Sequence, residues 1–202
     1  MSSGYHPLRC RCGAIQAQVA HPERCTRAVC YCKDCQAFAR FLGLPEGMLD
    51  ACGGTDVIAV RPRDVSFVHG IENLACMSLT PTGTLRWYAA CCRTPIGNTP
   101  RSHQHSHVGL IHLALQTPGQ GIDAAFGPVR MHVNRDGATA QPPRTPRLVF
   151  FGSVVRYLFG LIGSRLSGKY KVNPFFNAMT GQPIVDPKVL SPAELAAARR
   201  PK

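Results

Sequence analysis

"CYCKDCQ", residues 30–36, decides how the rest of this 202-residue chain is read, because it sets three cysteines within six positions. In an extended segment side chains alternate, so Cys30 and Cys32 of the C-x-C turn their sulfurs to one side. Cys32 and Cys35 form a C-x-x-C, which folds through a turn and brings two sulfurs round one centre. The residues that follow, "DCQAFARFLG" (34–43), suit one short helix ending at Gly43. A disulfide staple, a redox pair and a metal site compete for such crowding. The N-terminal "MSSGYHPLRCRCG" has no charged segment followed by an apolar one, so no secretion signal is read there and a cytoplasmic protein is expected. Disulfides do not persist in that compartment, and no thioredoxin-like βαβ pattern surrounds the motif. Metal therefore leads. Zinc takes four ligands in a closed site, and three thiolates leave one position for water or a substrate atom.

The other seven cysteines sort by neighbourhood. Cys10 and Cys12 form a second C-x-C in "RCRCGAI" and supply half a site. Cys91 and Cys92, adjacent in "AACCRTP", are the candidates for the other half. Neighbours on a strand face opposite ways, so both could bind one ion only on an irregular backbone. Cys92, which opens the turn "CRTPIGN", is the stronger candidate. Cys25, Cys52 and Cys76 stand alone and read as small apolar residues. His103, His105, His107 and His112 crowd into "SHQHSHVGLIH", a polar stretch that reads as an exposed loop.

Short stretches rich in β-branched and aromatic residues fill residues 1–115: "IQAQV" (15–19), "DVIAV" (56–60), "VSFVH" (65–69), "LRWYAA" (85–90) and "HVGLIHLAL" (107–115). "GG" (53–54), "PTG" (81–83) and "TPIGNTP" (94–100) read as separators. The spacing predicts an antiparallel sheet assembly. "DGATAQPPRTP" (136–146) reads as a linker, dividing a zinc-binding β domain (1–135) from a basic, partly helical extension (147–202). Residues 1–143 hold 13 Lys and Arg against nine Asp and Glu, while 144–202 hold ten against two. Such an excess favours anionic partners in general. No helix-turn-helix, RNA-recognition pattern or aromatic–basic interleaving is present, so specific nucleic-acid readout is not expected. On a helical wheel of "RLVFFGSVVRYLFGLIGSRL" (147–166), Gly152, Arg156, Gly160 and Gly163 share a narrow sector and the rest is apolar. Arg156 at its centre argues against a transmembrane span. The expectation is a helix packed on the domain or a partner, with membrane-surface contact permitted by the charge. "SPAELAAAR" (191–199) has Ser191, Pro192 and Glu194 where a capped helix start needs them.

"CRCGAI", then "CYCKDCQAFA", then a C-x-T-P turn after an "RWY" strand resembles the glutathione-dependent formaldehyde-activating enzyme family, which includes the centromere protein V-like domains. The resemblance covers roughly residues 8–115. It implies a mainly β, antiparallel zinc-binding fold, here with a C-terminal helical extension. One structural zinc would be held by the first C-x-C and a late C-x-x-C, and a second by C-x-C-x-x-C. Carried over residue by residue, Cys10, Cys12 and Cys92 match the structural site, and Cys30, Cys32 and Cys35 the reactive one. The late C-x-x-C expects a cysteine where this chain has Ala89, which Cys91 could replace from a neighbouring position. The basic extension lies outside the family pattern.

The implied activity is the joining of glutathione and formaldehyde to S-hydroxymethylglutathione, formally that of a carbon–sulfur lyase with one or two zinc ions per chain. Lys33 and Arg40 flank the reactive motif and are candidates for holding an anionic thiol such as glutathione; Arg93 is a weaker one. The alternative is a non-catalytic zinc-stabilised module whose basic C-terminal part contacts an anionic partner or a membrane surface.

Overall fold

The alternating stretches become strands in the computed structural model, which describes residues 4–116 and 121–200. In chain order the elements are β1 (Tyr5–Arg9), β2 (Gln16–Ala20), β3 (Thr26–Cys30), α1 (Lys33–Phe41), β4 (Thr55–Val60), β5 (Val65–His69), β6 (Leu74–Ser78), β7 (Leu85–Ala89), β8 (Pro95–Thr99) and β9 (Val108–Ile111). After these come α2 (Ile122–Phe126), β10 (Met131–Val133), α3 (Arg147–Leu166), β11 (Lys188–Val189) and α4 (Pro192–Arg199). β1, β2 and β5 form a three-stranded sheet, and the other strands an eight-stranded sheet in the order β10-β3-β4-β9-β8-β7-β6-β11. The six inner strands of the larger sheet pair antiparallel; β10 and β11 join its two edges in parallel. The mainly β expectation holds, with mixed rather than purely antiparallel pairing.

Two apolar layers follow from strand alternation. Leu8, Ala17 and Val19 of the small sheet pack with Ile58, Trp87, Ile96 and Leu110 of the large one. On the opposite side, Ala37, Phe38 and Leu42 of the α1 region pack with Met77, Ile111 and Ala198. β7 shows the consequence: Leu85, Trp87 and Ala89 belong to the first layer, while Tyr88 and Arg86 turn toward α1, where the Arg86 guanidinium lies 5.5 Å from the Phe38 ring centroid.

Two expected boundaries shift. "TPIGNTP" contains β8 instead of separating strands, because Pro95 occupies its first position, where proline is tolerated, and Pro100 lies beyond its end. In "HVGLIHLAL" the strand stops at Ile111, and His112–Ala114 form a 3-10 turn.

The C-terminal part returns to the same core. Phe175 and Phe176 are buried, and the Phe175 ring stands 5.1 Å from that of Trp87 and 5.6 Å from that of Phe67. β11 completes the large sheet beside β6, and α4 rests on α1 with Arg40 Nη1 donating to Ala198 O at 3.2 Å. Ser191 and Glu194 make the full capping box. Nor does the stretch read as a linker hang free. Thr139 N–H donates to Cys52 O at 2.9 Å, and Gln36 Nε2 donates to Gly137 O at 2.8 Å. A Cβ on Gly137 would stand 2.4 Å from Tyr31 O, so only glycine lets the segment approach this closely. α3, expected as a helix packed on the domain or a partner, lies on the domain's surface with only Ser153 and Ser164 buried.

Phe175→Ala tests whether residues beyond 146 belong to the core. Deleting a buried aromatic ring should cost about 3–5 kcal/mol in denaturant unfolding. An unchanged midpoint would mean that the segment does not stabilise the β sheets.

Candidate metal centres

Two cysteine clusters form, each with its sulfurs within 4.8 Å of one another. The first comprises Cys10, Cys12, Cys91 and Cys92. Cys10 and Cys12 sit in the β1–β2 connection. Cys91 and Cys92 follow β7 in a turn, not on a strand, which removes the alternation that would have parted them. Arg93 there adopts φ +57°, and its N–H closes onto Ala89 O at 2.8 Å. The irregular backbone lets adjacent cysteines face one point. Sulfur separations are 3.5 Å for Cys10–Cys12, 3.3 Å for Cys12–Cys91, 3.9 Å for Cys10–Cys91 and 3.8 Å for Cys91–Cys92. Thiolates bound at about 2.3 Å round a tetrahedral zinc stand about 3.8 Å apart, so the set has the size of a closed four-thiolate site. Cys91 thus joins Cys10, Cys12 and Cys92 in one group, while Ala89, where the resemblance expects a cysteine, is buried in β7. Ile15 N–H donates to the Cys10 sulfur at 3.2 Å. Burial raises the Cys92 thiol, but hydrogen bonds with Thr94 and from the Cys12 and Thr94 backbone outweigh this and bring it to about 6.

The second cluster is Cys30, Cys32 and Cys35. Cys30 ends β3, Cys32 is the N-cap of α1, and Cys35 lies buried in its first turn. Tyr31, between the first two, turns the other way into the fold and donates its hydroxyl to Asp50 at 3.2 Å. Cys35 N–H donates to the Cys32 sulfur at 3.3 Å. Hydrogen bonds with Cys32 and Cys35 pull the Cys30 thiol far below its ordinary value; the same bonds push Cys32 and Cys35 up. Three thiolates together require a cation among them.

Two further residues complete this site and were not read from the sequence. Asn134 follows β10, which pairs in parallel with β3, and its Nδ2 donates to the Cys30 sulfur at 3.2 Å. Arg86, only 4% exposed, points Nη1 at the Cys35 sulfur at 3.9 Å and at Asn98 Oδ1 at 3.2 Å. Its Nε has no hydrogen-bond partner among the described residues. A charged residue inside the apolar strand "LRWYA" was the available sequence signal for it. For Asn134 there was none, because a long-range strand pairing puts it there.

The other candidates scatter. Lys33 is exposed beside the cluster. Arg40 is engaged with Ala198 O and with Gln36, and Arg93 Nη2 donates to Phe41 O at 3.0 Å. Cys76 is buried as expected, whereas Cys25 and Cys52 are partly exposed. The histidines diverge. His103 lies near Tyr170 and Phe176, His107 packs edge-on against Tyr157, His105 is exposed, and the His112 ring contacts Asp56 O and Gly47 O.

The sequence pattern of a family of unknown function, DUF6151, matches residues 1–187. No curated protein matches. Three chains of solved structures match; one is the crystal structure of a Rhodobacter sphaeroides protein, 21% identical, covering 63% of this chain and 99% of its own, with a TM-score of 0.40.

Proposed function

The chain belongs to the DUF6151 family, and from the two cysteine clusters it carries we propose that it is a two-zinc protein whose open site handles a thiol. The four-cysteine cluster is the structural centre. The three-cysteine cluster is the reactive one and works as a carbon–sulfur lyase on thiol–aldehyde adducts such as S-hydroxymethylglutathione, as the resemblance to the formaldehyde-activating enzymes implies. One observation carries this reading. Cys30, Cys32 and Cys35 form a cluster of three with no fourth ligand grouped with them among the described residues, while two polar side chains aim at their sulfurs.

Zinc bound there would supply a Lewis-acid centre with one open position, at which a small thiol is held deprotonated. Three thiolates on a divalent cation leave one net negative charge. The Arg86 guanidinium offsets it from the buried side. Asn134 holds the Cys30 sulfur by hydrogen bonding and keeps that ligand oriented. In the addition direction, the thiol sulfur bonds to the aldehyde carbon, the carbonyl π bond opens, and the proton lost by the thiol ends on the new hydroxyl. The lyase direction reverses each change. Among the described residues Lys33 is the free cation nearest in sequence for an anionic thiol, since Arg40 is engaged with α4.

Native mass spectrometry with and without glutathione tests the reading. The expected result is two zinc ions per chain and one glutathione added to the loaded protein. Loaded protein that takes up no thiol, or folded and reduced protein without zinc, would overturn it.

A further inference from the structure

α3 is mounted inside out. Its buried residues are two serines, and the Ser164 hydroxyl donates to the Ser106 hydroxyl at 2.8 Å. On the same flank Tyr157 packs edge-on against His107, and Arg156 Nη2 donates to Arg24 O at 3.1 Å. A cavity of about 260 Å³ remains between helix and sheets, lined in part by Arg61, His107 and Leu161. The large apolar side chains face away: Leu148 is 88% exposed, Phe151 69%, Phe159 69%, Ile162 55% and Leu166 84%. At 100° per residue these lie opposite Ser153 and Ser164, so the apolar stripe is continuous and outward. Polar contacts at the helix centre, from Arg156, and near its C-terminal end, from Ser164, fix that orientation.

The surrounding charge selects the occupant. From residue 137 to 185 the chain has no Asp or Glu, while Arg144, Arg147, Arg156, Arg165, Lys169 and Lys171 all fall within it. Arg147 and Arg165 flank the stripe near its two ends, and Lys169 and Lys171 follow the helix. A two-fold contact between copies would bring these cations against themselves with no acidic residue of the segment to meet them. A surface of anionic lipid offers the complement, with acyl chains for the apolar stripe and headgroups for the arginines and lysines. The helix is long and apolar enough to cross a membrane, but its inward flank is held on the domain from Arg156 to Ser164, which suits lying in the interface plane.

We infer that α3 is an in-plane anchor that seats the protein on an anionic membrane surface, Phe151 and Phe159 entering the acyl region and the flanking cations meeting the headgroups. The contact stands independently of the metal chemistry. It also explains why a helix of this composition is displayed on the outside of a β protein.

The test is co-sedimentation of the full chain with vesicles of phosphatidylglycerol and phosphatidylcholine in equal parts, and with phosphatidylcholine alone. Binding should be at least ~10-fold stronger to the anionic vesicles and weaken as salt rises to ~0.5 M. The Phe151→Glu/Phe159→Glu double variant changes two exposed side chains, so it should fold and lose ~10-fold or more of that binding. Arg165→Gln/Lys169→Gln/Lys171→Gln should reduce the salt dependence. No sedimentation with anionic vesicles at low salt would overturn the proposal, as would unimpaired binding of the double variant. A dimer formed without lipid and dissociated by the double variant would assign the stripe to a second copy instead.

Discussion

Cys32→Ser is expected to remove one of the two proposed zinc ions and to lower thiol-dependent aldehyde turnover by about 100-fold or more. The substitution is selective for a structural reason. Cys32 is the N-cap of α1, and its sulfur accepts from Cys35 N–H. Serine is among the best N-cap residues, so the helix keeps its cap while the site loses a soft ligand. The remaining Cys30 and Cys35 cannot hold zinc with the same charge or geometry. The variant should retain the far-ultraviolet spectrum of the parent, and its unfolding midpoint should fall less than that of Cys91→Ser. Full turnover by a variant that has lost this zinc would show that the cluster is not the reactive centre, whatever else binds there.

Cys91→Ser should act on stability instead. The four-cysteine cluster ties the β1–β2 connection to the β7–β8 turn, two points some 80 residues apart in sequence (Cys10 to Cys91). A structural zinc contributes directly to folding free energy. Losing one of its four ligands should lower the apparent Tm by about 10 °C or more, given that ~1 kcal/mol shifts a chain of this size by about 2–4 °C. Chelator should bring the parent down to the variant's Tm and leave the variant little changed. Cys52→Ser, a thiol outside both clusters, is the control and should leave Tm and zinc content as they are. If Cys91→Ser matches the parent in both while Cys92→Ser does not, the site has three protein ligands and Cys91 is a bystander.

Much of the architecture was legible because its cues are local. Alternation in "DVIAV", "VSFVH" and "LRWYAA" marked β4, β5 and β7, and Ser191, Pro192 and Glu194 marked the start of α4. β8 was obscured because Pro95 and Pro100 read as breakers, whereas a proline at the first position of a strand leaves its ladder intact. The facing of α3 was not legible for a different reason. A wheel of apolar residues with a polar sector normally turns its apolar side inward. Which side turns inward is a tertiary fact, set here by Ser106, His107 and the Arg24 carbonyl.

The three thiols of the C-x-C and the C-x-x-C that share Cys32 were readable as one candidate metal-binding set, because spacing that tight admits few backbone geometries. The sequence also determined that the second half-site at Cys10 and Cys12 needed distant partners. Which residues those partners are follows from the packed fold. The left-handed turn at Arg93 lets two adjacent cysteines face one point, and the packing of the small sheet against the large one brings them to Cys10 and Cys12. The same holds for Arg86 and Asn134, carried to the three-cysteine cluster by β7 and by the parallel pairing of β10 with β3. Local spacing restricts only the few torsions between near neighbours. Contacts between residues tens of positions apart are set by how sheets register and layers pack, and no short motif records that.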